Sequence, residues 1–389
     1  MPVVPGLFER LAFRANLAPS AILDVHGGAS LHAAALADEL GVFTALDRPR
    51  TPSTLAAALD VDETALRTLL DSLVAVGYLA RDGDEYRRTR ATTRWLTPDG
   101  EANLAPFLRF WVDVVLPYWR DHATRAVREG DPGETLYEWL GDDEEAWATT
   151  QAGFRSSASL LLDPVADELG DVEGLRVLDL GGGHGAYAVE LARRGADVTL
   201  VDHPAALTTA REAAAEAGVD VDIVGGDYLT ADLWARLDAP VADPPERVPA
   251  DAPVDARGGA TAGGDGPTRG AREGDAGDAG DAGYDVVLLF NVLHGHTPDE
   301  SAFLLARASG VLAPGGRVVV LDQFDADGPT NLADIGVALL DLTYLVTLGG
   351  GTPDVDAVNR HLGDAGLVVA GSRTFRRAPG VRLVTADRA

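Results

Sequence analysis

Residues 176–204, RVLDLGGGHGAYAVELARRGADVTLVDHP, constrain the fold more than any other stretch of the chain. Arg176 to Leu180 is a short apolar run of strand type, and Gly181 to Gly185 is a glycine turn. Ala186 to Arg194 has helical spacing, and Asp197 to Val201 is a second strand that runs into Asp202. This order predicts half of a doubly wound nucleotide site. Glycine lets a ligand approach the backbone where a helix N-terminus offers unpaired N–H groups, and an acid at the tip of the second strand can hold both hydroxyls of a ribose.

From Leu175 onward strands and helices alternate. A helix over 205–217 precedes the strand Val221 to Val224 and the turn GGDYL; YDVVLLF (Tyr284 to Phe290) is the next strand, followed by a helix from Pro298 to Leu312 and the strand Arg317 to Leu321. Helices near 331–347 and 354–364 come next, and two last strands flank Ala378-Pro379-Gly380. The expected fold class is therefore α/β, a doubly wound and mostly parallel sheet covered on both faces, with one antiparallel strand added by the final turn. One segment breaks the alternation. Residues 238–283 consist mostly of Gly, Ala, Pro, Asp and Glu and end in GDAGDAGDAG, which predicts a disordered acidic insertion within an α/β domain of 171–389.

The first hundred residues read differently. LHAAALADELGVFTAL, with Ser30 as its N-cap, TPSTLAAALDV and DETALRTLLDSLVAVGYL are helical; Leu66, Leu69, Leu70, Leu73 and Val76 fall on one face. YLARDGDEYRRTR is a hairpin around Asp82-Gly83-Asp84. Together they predict a mainly α winged-helix domain over 1–100. It has two readings: DNA binding through Arg67, Arg81, Arg87, Arg88 and Arg90, or a dimerisation platform, the reading favoured by the sparse basic residues. Residues 101–170 form a helical linker rich in large aromatics from Phe107 to Phe154, most of them packing residues and a minority available to a substrate pocket at the domain interface.

Composition narrows the partners. The chain has no cysteine, which excludes disulfides and thiolate metal sites. It carries 61 acidic residues against 32 basic ones, every one of these Arg, for a formal net charge of -29. That charge repels nucleic acid and anionic membranes and suits a surface adapted to high salt. The absence of a long apolar run or a signal-peptide pattern predicts a cytoplasmic protein with no membrane partner.

The glycine turn by itself also fits a dinucleotide fingerprint, with Gly181, Gly183 and Ala186 in G-x-G-x-x-A. Asp179, two residues before the first glycine, suits a cationic amino group and would repel a pyrophosphate. GGDY at 225–228 offers an acceptor and an aromatic ring to an adenine. NVLH follows the fourth strand, and LAPGGRVVVLD forms the fifth.

With VLDLGGGHG, VDHP, GGDY, NVLH and LAPGGRVVVLD in this order, the chain resembles the class I S-adenosylmethionine-dependent methyltransferases. More narrowly, it is similar to the small-molecule O-methyltransferases of the caffeate and hydroxyneurosporene kind, over nearly the whole chain except the insertion. The resemblance implies a seven-stranded sheet, a homodimer, S-adenosyl-L-methionine as cofactor and an apolar, aromatic or polyene-like small-molecule acceptor. It implies that Asp179, Gly181 and Gly183 receive the amino acid end of the cofactor, Asp202 the ribose, Asp227 and Tyr228 the adenine, and Phe290 and Asn291 the methionine part. His294 falls at the family's general base and Asp322 at the acid that orients it.

Three departures stand out. Phe290 replaces a residue that is often Lys, so only its backbone can serve the cofactor. The base is followed by Gly295-His296 in place of the usual acid and Trp. A second acid expected after the paired glycines is missing from Gly349-Gly350-Gly351-Thr352-Pro353, with Asp341 and Asp354 as possible substitutes. His294-Gly295-His296 also spells a two-histidine metal pair, but no cluster of carboxylates or thiolates accompanies it, and no metal is expected. Two rival functions remain at this level: carbon or nitrogen methylation, or a non-methylating reaction, on the same fold; and a DNA-binding regulator with a metabolite-sensing domain.

Overall fold

The computed structural model describes residues 6–17, 19–237, 283–324 and 332–388. All of the acidic insertion except Gly283 lies outside them. Among the described residues nine strands fall into two sheets. β1 (Leu79–Asp82) and β2 (Glu85–Arg88) form the hairpin, with Asp82 opposite Glu85 across the Gly83-Asp84 turn. The large sheet contains β3 (Arg176–Leu180), β4 (Asp197–Asp202), β5 (Asp222–Gly225), β6 (Tyr284–Phe290), β7 (Leu312–Gln323), β8 (Leu367–Phe375) and β9 (Ala378–Arg388), in the order β5-β4-β3-β6-β7-β9-β8. β3 to β7 pair in parallel, and β9 runs antiparallel to both β7 and β8. The seven-stranded, mostly parallel sheet is the expected one, although the fifth strand of the alternation starts at Leu312 rather than Arg317.

Alternation along the strands sends apolar residues to both faces. Leu178, Leu180, Val287, Leu289, Val318 and Val320 meet Leu304 and Leu305 of the helix Pro298–Gly310 and Val358 and Leu362 of the helix Val355–Asp364. On the other face Val177, Val198, Leu200, Val286, Leu288 and Val319 meet Tyr187, Ala188 and Leu191 of the helix Ala186–Arg193 and Val165 and Leu169 of the helix Leu162–Leu169. Each fully buried Val or Leu contributes about 1.5–3 kcal/mol. The ends of the strands, and with them the acids that follow, are therefore held rigidly.

In the N-terminal part Thr51 caps the helix Pro52–Leu59 and Asp62 caps Glu63–Ala75. The reading of Ser30 as an N-cap is corrected. The preceding helix runs from Ile22 to Glu39, and Ser30 lies buried within it beside Ala34, Ala35 and Ala37. The helix runs through Gly27 and Gly28, since burial of this small-residue face outweighs a cost of about 1 kcal/mol for each glycine. In the linker, the helices Ala105–Phe110 and Leu116–Glu129 join through a π-helical turn, Trp111–Val115. Pro117 has no N–H to offer the carbonyl of Asp113, so the ladder slips there. Phe110, Tyr118 and Trp147 pack into one cluster with Val346 and Ala206, the fate expected for most of these aromatics.

Candidate functional site

The glycine turn between β3 and the helix Ala186–Arg193 is crowded on every side. Gly181 has φ +78°, and a Cβ there would lie 2.6 Å from Val292 Cγ2 and 3.8 Å from Tyr228 Cε1. A Cβ on Gly182 would meet Asp179 Oδ2 at 2.6 Å and Leu200 Cγ at 2.7 Å. Gly183, at φ +39°, donates its N–H to Asp202 Oδ2 at 2.7 Å, and Asp202 Oδ1 accepts from His203 N at 2.6 Å. The acid at the tip of β4 is thus fixed against the turn. Gly182 was absent from the sequence-derived site, yet only glycine fits between Asp179 and Leu200.

Asp179 is 2% exposed, and its Oδ2 has no hydrogen-bond partner. Burial, then the nearby Asp202 carboxylate, pushes Asp179 up from 3.8 to about 7. Burial also raises Asp202, against the opposing pull of the two backbone N–H groups. A second orphaned atom faces the same turn: Gln151, on the helix Glu144–Ala158, is 4% exposed with an unpartnered Oε1, 3.2 Å from the Cβ position of Gly183. Buried acceptors without donors are uncommon in folded proteins. These two, beside an acidic pair, make a lining suited to a cationic, donor-rich ligand such as the amino acid end and ribose of S-adenosylmethionine. His184 in the turn is held neutral, lowered to about 4 by burial and then by Arg155, while its Nδ1 accepts from Ala186 N.

After β5, Asp227 Oδ1 accepts from Leu229 N at 2.8 Å, which sets the turn. Tyr228 reaches back so that its hydroxyl lies 3.3 Å from His296 Nε2, its ring edge-on to that imidazole. His296 in turn sits 3.7 Å from Glu300, and its hydrogen bond is the main reason Glu300 is lowered to about 2. The linker contributes Tyr137, stacked on Trp147, which faces His203 in turn. Burial, then the Asp202 carboxylate, raises the phenols of Tyr137 and Tyr228, and burial, then Asp322, raises that of Tyr344. Tyr137 and Gln151 belong to the linker's helical background and carried no motif by which sequence could single them out.

Phe290 closes β6 with its side chain buried edge-on to Tyr187, which leaves its backbone as the part available to a ligand. Asn291 follows in the left-handed region at φ +55° and accepts from Gln323 Nε2 at 3.2 Å. His294, in a short 3-10 turn, is buried. Its Nδ1 lies 2.7 Å from Asp322 Oδ1, and its backbone N donates to Asp322 Oδ2 at 3.2 Å. Asp322 is fully buried near the end of β7, and its Oδ1 also accepts from Gln323 N at 2.8 Å. The carboxylate holds a proton on Nδ1 and leaves the lone pair on Nε2, the tautomer a proton acceptor needs. The glycine run after the helix Leu332–Leu348 braces this turn: Gly351 N donates to His294 O at 3.1 Å, and a Cβ on Gly350 would collide with that carbonyl. No cluster of metal-binding side chains occurs among the described residues, and no helix among them is long and apolar enough to cross a membrane.

A family model described as a methyltransferase domain matches residues 153–369, more than half of the chain. The chain is 26% identical over 364 residues to a 3-hydroxy-5-methyl-1-naphthoate 3-O-methyltransferase of Streptomyces sahachiroi, covering 90% of this chain and 88% of that protein. It is 28% identical over 338 residues to an aclacinomycin 10-hydroxylase of Streptomyces purpurascens, covering 82% and 76%. Human N-acetylserotonin methyltransferase, solved in complex with SAM, shares the fold with a TM-score of 0.70 at 20% identity, over 100% of both chains. The matched family spans the glycine turn, Asp202 and the His294–Asp322 pair, and the chain belongs to the class I S-adenosylmethionine-dependent methyltransferases of the small-molecule O-methyltransferase family.

Proposed function

We propose that the protein transfers a methyl group to a hydroxyl of an apolar, aromatic or polyene-like small molecule, with His294 as general base and Asp322 as its orienting acid. The observation that carries this reading is the buried 2.7 Å contact of His294 Nδ1 with Asp322. Bound S-adenosylmethionine supplies an electrophilic methyl on a sulfonium. With it bound, the acceptor oxygen would take the methyl as the C–S bond broke; His294 Nε2 would accept the hydroxyl proton, and Asp322 would stabilise the resulting imidazolium.

Asp179, with the backbone of Gly181 and Gly183, is assigned to the amino acid end of the cofactor and Asp202 to its ribose. Asp227 and Tyr228 take the adenine, and the Phe290 backbone with Asn291 flanks the methionine part. The unpartnered Asp179 Oδ2 supports the first assignment, since an ammonium would satisfy it. Apolar side chains exposed near the N-terminus, Phe8, Leu11, Leu17, Ile22 and Val25, support a homodimer built on a winged-helix domain of residues 1–100. DNA binding by that domain is disfavoured because Arg67, Arg81 and Arg88 pair with Asp84, Asp71 and Asp99.

The relative named as a hydroxylase motivates the rival reading, in which the fold holds the cofactor without methyl transfer. Methyl-labelled S-adenosylmethionine, with an organic extract of the native cells as acceptor source, separates the two. His294→Ala is expected to lower label transfer about 10²–10⁴-fold while calorimetry shows the cofactor still bound. Unchanged transfer rejects the base, and no labelled product from the unaltered protein favours the rival.

A further inference from the structure

His294 lacks the second acid that the family resemblance led us to expect, and neither candidate substitute serves it. Asp341 Oδ1 accepts from Thr352 N at 2.7 Å and from Thr352 Oγ1 at 2.9 Å, and Asp354 caps the helix Val355–Asp364 by accepting from Ala357 N at 2.6 Å. What meets the imidazole instead is a ring. Tyr344, on the helix Leu332–Leu348, lies over His294 with ring centroids 3.9 Å apart and planes 15° from parallel. The Tyr344 hydroxyl donates to Gln323 Oε1, and Gln323 Nε2 donates to Asn291 Oδ1 at 3.2 Å. One chain of contacts therefore runs from the end of β6, across β7, to the face of the imidazole.

A hydrogen bond at Nδ1 fixes the imidazole at one edge but leaves the ring free to rock about that contact. A second ring stacked on its face removes that freedom, and the aromatic face also favours the imidazolium formed when the base takes a proton. We infer that Tyr344 is a positioning residue of the reaction: its ring, stacked on His294, holds the imidazole in the plane that presents Nε2 to the acceptor oxygen. This rests on His294 being the base.

Two measurements test it on the full-length protein. In 15N-histidine spectra, with His294 assigned by its loss in His294→Ala, the unaltered protein and Tyr344→Phe are expected to show one sharp Nδ1-protonated form. Tyr344→Leu is expected to broaden or mix the tautomers. An unchanged His294 signal in Tyr344→Leu overturns the inference, and if that variant does not fold, Tyr344→Met poses the same question. In the label-transfer assay Tyr344→Leu should lower kcat about 10- to 100-fold with cofactor affinity retained, Tyr344→Phe should restore most of it, and in a His294→Ala background Tyr344→Leu should add nothing. A Tyr344→Leu effect that persists in full without His294 assigns the tyrosine another role and also overturns the inference. A His294→Ala protein with normal turnover removes the base reading itself, and this inference with it.

Discussion

Asp179 and Asp322 lie two strands apart in one sheet, are 2% and 0% exposed, and differ in nearly everything else. By strand alternation Asp179 shares the face of Val177, and Asp322 that of Val318 and Val320. Asp322 has donors on both oxygens, two from His294 and one from Gln323 N. Asp179 has an oxygen with none, stands near Asp202, and is pushed up to about 7. One carboxylate is satisfied by the chain itself; the other keeps an oxygen without a donor. On the proposed function, the comparison separates a group whose partner is built in from a group whose partner is the ligand.

The largest expected effect falls on the satisfied acid. Asp322→Asn replaces the acceptor facing Nδ1–H with an amide, and kcat is expected to drop about 10²–10⁴-fold in the label-transfer assay, with cofactor affinity unchanged. Full activity would mean that the two acids differ less than their hydrogen bonds suggest. Asp179→Asn should act in the opposite sense on stability. Because the folded value lies above 3.8, the native state keeps a proton that the unfolded chain releases between about pH 4 and 7, so this group's contribution to stability falls across that window and stays low above it. At pH 8 the ligand-free variant should be more stable by up to about 4 kcal/mol, at pH 4 by almost nothing, and it should bind S-adenosylmethionine more weakly. Denaturant titrations at the two pH values check the sign; destabilisation at pH 8 would show that Asp179 already has a partner.

Two smaller changes sharpen the contrast from the surrounding residues. Gly182→Ala presses on Asp179 Oδ2 and Leu200, and an overpacking loss of about 1–3 kcal/mol is expected in the same titrations. Gln151→Ala deletes the other orphaned acceptor and should cost only about 1 kcal/mol of cofactor affinity by calorimetry, with kcat preserved. An affinity equal to that of the unaltered protein would remove Gln151 from the cofactor site.

Much of this arrangement was legible in the linear chain because it is local. The runs RVLDL and YDVVLLF alternate or cluster in ways only strands explain, Asp202 ends β4, and His294 lies in the turn just after β6, where short motifs mark them. Ser30 misled because a cap signal is judged against neighbours a few residues away, whereas the burial that overrode it comes from the packing of the whole helix. Gln151, Tyr137 and Tyr344 were invisible for a related reason. Each lies on a helix with unremarkable spacing and acquires its place only when that helix packs over a strand end more than twenty residues distant. Aromatic and amide side chains of this kind look identical in sequence whether they fill a core or face a ligand.

The strand order has a consequence for the order in which competence is acquired. β7 carries Asp322, and its second edge is closed by β9, a strand that follows two further helices and β8 in the sequence. A nascent chain synthesised as far as residue 324 contains β3 to β7, the glycine turn and both acids, so the cofactor pocket can begin to assemble. The strand bearing Asp322 would then still expose a row of unpaired backbone groups, and Tyr344 would not yet exist. On the proposed function, cofactor recognition is encoded early in translation and alignment of the base late, so an incompletely made or C-terminally clipped molecule is expected to retain more of its grip on the cofactor than of its chemistry.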